Sequence, residues 1–145
     1  VIGGYPGQVV RIVCVLMAPL IMVFGQYVVA HGHYGPGGGF AGGVVTGVGI
    51  ILLRITVERD LADRWFPPAA GPIAAAGGVL VFVAVGFVPM VVGGPFLDYA
   101  ALDLPGLDAV EQRYLGILVV EFAVGVTVTG VMLALFDALA RSAER

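Results

Sequence analysis

Four stretches of the chain are almost uninterrupted apolar sequence: roughly Val9–Ala30, Phe40–Ile55, Ala70–Gly93 and Tyr114–Leu139. Apolar runs of about eighteen or more residues mark segments that cross hydrocarbon, since at about 1.5 Å of rise per residue about twenty residues traverse a core about 30 Å thick. The pattern predicts four membrane-spanning helices. The second is short if it starts at Phe40, and the glycine run before it extends it by part of a turn. The last is long enough to span with tilt or to project beyond the lipid.

The polar stretches between these runs set an orientation. Arg11, Arg54, Arg59, Arg64, Arg141 and Arg145 fall on one side of a four-span arrangement and only Arg113 on the other, so positive residues place both termini in the cytoplasm. The loop TVERDLADRWFPPAAG then lies inside, with Trp65 and Phe66 as an interfacial anchor and Glu58, Arg59, Asp60, Asp63 and Arg64 on a solvated short helix or docking surface. Arg54 is expected to snorkel to the interface, and Asp137 to be solvated at the same side. The opposite side carries HGHYGPGG and the acidic loop GGPFLDYAALDLPGLDAVEQR, whose Asp98, Asp103, Asp108 and Glu111 read as solvated structural residues in an irregular headgroup segment.

Composition confirms the class and excludes others. Hydrophobic residues make up 59% of the 145, charged residues 12%, and the mean hydropathy is +1.03, far from a soluble domain. The net charge of −3 and the absence of any lysine leave no basic patch for nucleic acid. Cys14, the single cysteine, permits no intrachain disulfide and reads as a small apolar packer. The first apolar run is too long for a signal-peptide core and is expected to be retained. Neither an internal repeat nor a domain boundary is evident. The expectation is an all-α, integral membrane four-helix bundle forming a single transmembrane domain over 1–145.

The glycines invite a misreading. Gly37, Gly39 and Gly42 match G-x-G-x-x-G, but a dinucleotide fingerprint needs a short strand before it and a soluble crossover around it, and a span-length apolar run stands there instead. A Walker loop requires the lysine that the chain lacks. Gly39, Gly43 and Gly47 recur every four residues, which places them on one face of the second span and lets another helix backbone approach closely. Gly35, Pro36, Gly37 and Gly38 suit a tight reversal between the first two spans. His31 and His33 form an H-x-H pair that supplies half a metal site at most, and a helix-end or interfacial role is the simpler reading.

One acid is out of place. Glu121 lies about seven residues into the fourth run, in LGILVVEFAVGVTVTGVML, and a charged side chain facing lipid there costs at least about 2.5–3.5 kcal/mol. It is therefore expected to face protein or water, neutral or paired. That chemistry suits ion handling, and equally a hydrogen bond across a helix interface. Its half of the membrane also holds Gln26, Tyr27, His31 and His33, which leaves room for a polar cluster and makes His31 and His33, with Glu121, the candidates for an ion path. A self-sufficient transporter would show related halves or broken helices around a central site. This chain shows neither and reads as a subunit.

The run PLIMVFGQYVVAHGHYGPGGGFAGGVVTGVGIILL, from Pro19 to Leu53, resembles the signature of the B subunit of Mrp-type multisubunit sodium/proton antiporters, in which a first helix ends in an H-x-x-x-PGGGF-x-GG turn. The tail LGILVVEFAVGVTVTGVMLALF is similar to that family's last helix. The resemblance implies an accessory subunit of the prokaryotic plasma membrane with no catalysis of its own and no cofactor. It would assemble with other subunits, among them large proton-channel subunits related to those of respiratory complex I. Its substrates at the level of the assembly would be sodium ions and protons. The resemblance further implies that such a subunit helps build the complex, with the lining of a sodium route as an additional role open to it. The positions carried over are His33, Pro36, Gly37, Gly38, Gly39, Phe40, Gly42 and Gly43, with Glu121 proposed from the last helix. Related subunits occur in membrane-bound hydrogenases, which makes a redox-driven host complex the alternative.

Overall fold

Once water is excluded, an apolar segment must satisfy its own backbone donors and acceptors, and a helix does so within one segment. The computed structural model accordingly places four long helices over the four apolar runs: α1 (Gln8–His31), α2 (Gly38–Thr56), α4 (Ala70–Val91) and α5 (Ala109–Ala143). A short helix α3 (Arg59–Trp65) and a 3-10 turn (Tyr99–Leu102) occupy the connections. The structure describes residues 7–32, 34, 37–102 and 105–143, and no strand occurs among them. His33, Pro36 and Asp103, singled out above, lie outside the described residues, as do Gly35 and Arg145.

Glycines dictate how the helices stack. α2 presents one glycine face to α1 and another to α5, and both neighbours come to backbone contact with it. On the first face a Cβ at Gly42 would lie 2.6 Å from the Gly25 carbonyl, and one at Gly49 would lie 3.1 Å from the Ala18 carbonyl. On the second a Cβ at Gly43 would lie 2.7 Å from the Gly125 carbonyl, and one at Gly47 would lie 3.1 Å from Met132 Sδ. α4 reaches α5 by the same device, with Gly71 against the Gly130 carbonyl and Gly78 against Ala123 and Thr127. The helices therefore stand in the order α1, α2, α5, α4, and among the described residues α1 and α4 do not touch. α2 and α5 run parallel at the centre, and α1 also meets α5 where Val29 packs beside Gly125.

The two ends of the bundle are closed differently. At the end bearing the start of α1 and the close of α5, the Arg54 guanidinium of α2 pairs with the Asp137 carboxylate of α5 and donates a second hydrogen bond to the Phe66 carbonyl. The two side chains are 5% and 9% exposed, so the expectation that Arg54 snorkels and Asp137 is solvated is corrected. The reason is that the segment after α3 folds back over Arg54 and displaces the water it would have reached. At the other end the acidic loop is held by aromatic rings on glycines. Tyr99 is buried with its ring on Gly116, and Phe96 packs on Gly86 and meets Phe87 edge-on at 5.5 Å. Burial raises the Tyr99 hydroxyl above its ordinary 10.0.

Asp108 and Glu111 have a specific task. The Asp108 carboxylate accepts from the Val110 and Glu111 amides at 2.8 and 2.7 Å, while Glu111 Oε2 accepts from the Asp108 amide at 3.0 Å. This reciprocal capping box starts α5 at Ala109, five residues before the apolar run begins.

Candidate functional site

The turn between α1 and α2 and the middle of α5 meet at the carboxyl of Glu121. Gly37 and Gly38 adopt φ of 149° and 73°, conformations that a side chain resists, and these two residues bring α2 back against the end of α1. The turn is so close that a Cβ on Gly32 would approach both the Gly38 backbone and, at 2.7 Å, Glu121 Oε2. A Cβ on Gly38 would lie 3.3 Å from Oε1. The carboxyl thus occupies the space that the missing side chains of the turn leave. It sits at the N-terminal end of α2, where unpaired backbone N–H groups and the helix dipole favour negative charge.

Glu121 Oε2 is buried and finds no hydrogen-bond partner among the described residues. A polar cluster of Gln26, Tyr27, His31 and Glu121 does not close around it there. The Gln26 amide donates instead to Thr46 Oγ1 at 3.0 Å. The His31 ring is exposed, stacks on Tyr27 with centroids 4.3 Å apart, and faces Tyr34 at 6.2 Å. Tyr34 in turn meets Tyr114 of α5 at 6.3 Å, so the histidine belongs to an aromatic ladder on the flank of the turn.

The glycine motif divides into two roles. Gly37 and Gly38 make the turn, whereas Gly39, Gly43 and Gly47 face α5 and Gly42 faces α1. The sequence left open whether the first of those faces meets this chain or another, and the answer is α5 of the same chain. Phe40 stands outward from this seam, 66% exposed.

Sequence reasoning did not single out the hydroxyls that line the seam below the turn. Thr46 Oγ1 donates to the Gly42 carbonyl at 2.8 Å, and Thr129 Oγ1 crosses from α5 to the Gly43 carbonyl at 2.9 Å. With Gln26 they border a crevice of about 130 Å³ between the helices. The signal was present in the sequence as isolated hydroxyls in the second and fourth apolar runs. Arg54 and Asp137 were equally visible as opposite charges near the same ends of two spans, although nothing in the sequence put those spans side by side.

Comparison with known proteins bears on this geometry. The family model described as a domain related to the MnhB subunit of Na+/H+ antiporter matches residues 9–134. A Bacillus subtilis (strain 168) protein, named as the B subunit of a Na(+)/H(+) antiporter, is 33% identical over 121 residues, covering 79% of this chain and 82% of its own length. A Staphylococcus epidermidis protein provisionally named antiporter subunit mnhB2 is 30% identical over 126 residues, covering 86% of this chain and 87% of its own. A Staphylococcus aureus (strain Newman) protein of the same name is 37% identical over 92 residues, covering 62% and 63%.

Proposed function

Because this chain belongs to the MnhB family of Na+/H+ antiporter subunits and is a multi-pass protein of the cell membrane, we propose that it serves such an antiporter in two ways. It is an accessory subunit that helps assemble the complex, and its α1–α2 turn with Glu121 lines part of the ion route. Its partners are the other subunits of the assembly, including large proton-channel subunits of the complex-I type, together with the surrounding lipid. Both termini face the cytoplasm, an orientation supported by the arginine distribution. The relatives are named as antiporter subunits and do not favour a hydrogenase-type host.

The observation that carries the ion-route reading is the buried oxygen of Glu121, without a hydrogen-bond partner among the described residues, against Gly32 and Gly38 of the turn. A carboxyl fixed there for packing alone would be expected to have a donor, since an unsatisfied buried acceptor costs about 1–3 kcal/mol. An incoming proton or cation satisfies it. The glycines bring the backbone of the turn close to the carboxyl, and the N-terminal end of α2 keeps the carboxylate tolerable while it waits. Proton and sodium then compete for one oxygen pair, which is the chemistry an exchanger needs at one point of its route.

The test is Glu121→Gln in the complete complex. Sodium/proton exchange in membrane vesicles should fall at least about tenfold while the complex assembles in normal amount, since the amide keeps the shape but not the charge. Unchanged exchange would make Glu121 a packing residue.

A further inference from the structure

α1 and α4 flank a shallow hollow without touching each other, and at its floor, over the α2–α5 seam, lies the crevice of about 130 Å³. Gln26 of α1, Thr46 of α2 and Thr129 of α5 reach it from three different helices, and the rest of its wall is apolar or Gly125. In hydrocarbon such groups are costly unless hydrogen-bonded, and each of the three has at least one partner here. A back-bonded threonine is an ordinary packing device on one helix. Three oxygen-bearing side chains from three helices at one cavity are not accounted for in that way.

The hydrogen bonds determine what the cavity accepts. Both threonine protons are committed to backbone carbonyls, Gly42 for Thr46 and Gly43 for Thr129, and Thr46 also accepts from the Gln26 amide. What remains is mostly lone pairs: those of Thr129 Oγ1, one of Thr46 Oγ1, and the Gln26 carbonyl oxygen, beside the second N–H of the Gln26 amide. With both hydroxyl protons committed, oxygen lone pairs outnumber the single N–H, which suits a hard cation better than an anion. Among the described residues no titratable side chain lines the crevice, which leaves cation binding to its neutral oxygens. Its volume holds an alkali cation with some of its water, each water needing about 30 Å³.

We propose that the crevice formed by Gln26, Thr46 and Thr129 is a transient binding site for sodium. Eight residues of α5 separate Thr129 from Glu121, about 12 Å along the helix. The two are therefore distinct stations: a carboxyl that exchanges proton for cation, and a neutral oxygen cage that takes the cation alone. A site without formal charge holds its ion weakly, as a conducting step requires. The proposal rests on the ion-route reading given above for Glu121.

The experiment measures sodium dependence of exchange in vesicles carrying the complete complex with Thr46→Val, Thr129→Val or Gln26→Leu, and Thr129→Ser as the conservative control. The half-saturating sodium concentration should rise about tenfold in the first three and stay near wild type in the serine variant, with the pH dependence unaltered. Unchanged sodium dependence in Thr129→Val and Gln26→Leu overturns the site. If Glu121→Gln abolishes exchange while those variants are normal, the ion-route reading stands and the crevice falls. If Glu121→Gln is normal while they shift, the crevice stands and Glu121 falls. Should the valine variants fail to assemble, the purified full-length wild-type chain decides. Sodium chloride should raise its thermal midpoint by at least about 2 °C over choline chloride at equal ionic strength, and no shift overturns the site.

Discussion

Asp137 and Glu121 are both acids on α5, and their surroundings give them opposite characters. Asp137 has a cation, Arg54, held against it by the chain that follows α3. Glu121 has the glycines of a turn against it and no cation among the described residues, although each acid keeps one buried oxygen without a partner there. Removing one partner of a buried ion pair leaves the other charged and desolvated, at a cost of about 3–5 kcal/mol, whereas replacing both with apolar residues of similar volume is near neutral. Asp137→Ala should therefore lower the thermal midpoint of the purified chain sharply. Arg54→Met combined with Asp137→Leu should recover most of the loss; equal loss in both would mean the pair contributes through something other than its charges. Glu121 was legible from sequence because an acid alone in an apolar run has few explanations. The Arg54–Asp137 pair was not, because each residue sits close enough to a span end to be solvated, and only the covering segment rules that out.

At the level of helices, stability depends on backbones that nearly touch. Gly43 opposes Gly125 with room for no carbon between them. Gly43→Leu should disrupt the subunit itself, by more than the about 1–3 kcal/mol typical of overpacking, because helix backbone opposes the new side chain and cannot move aside. The measurement is recovery of folded chain in detergent, and recovery at wild-type levels would mean that the α2–α5 seam is not closed as described. The start of α5 is a smaller matter. Asp108→Ala removes a cap worth about 0.5–2 kcal/mol, so hydrogen exchange should accelerate in the first turn near Val110 and Glu111 and nowhere else. The glycine face was legible from its four-residue spacing, whereas the capping box was missed, because Asp108 and Glu111 read from sequence as solvated loop acids. The partners of that face in space were not legible.

For the whole molecule, the bundle leaves long apolar flanks. α1 exposes Val9, Leu16, Leu20 and Val23 along its length, surface that only lipid or another subunit's helices can cover. α5, with 35 residues, is about 52 Å long and exceeds the hydrocarbon core, so its ends stand in the headgroups or it tilts. Four helices among the described residues are long and apolar enough to cross a membrane, and the proposed orientation puts the close of α5 on the cytoplasmic side. With Cys14→Ala as background, Ser142→Cys should react with a membrane-impermeant thiol reagent in inside-out vesicles and not in intact cells. The reverse pattern would invert the orientation inferred from the arginines.

Hydropathy and spacing alone determined that the chain is helical, that four of its helices are long and apolar enough to cross a membrane, where it turns between α1 and α2, and that α2 carries a face of bare backbone. These are local properties: each follows from the solvent a segment demands and the side chains it lacks. The order of the helices is not local. α2 and α5 are parallel neighbours separated by more than fifty residues, and only their packing brings Arg54 to Asp137, Thr129 to Gly43, and the Glu121 carboxyl to the turn. Polar groups in hydrocarbon take their function from what stands opposite them, and the tertiary structure decided that.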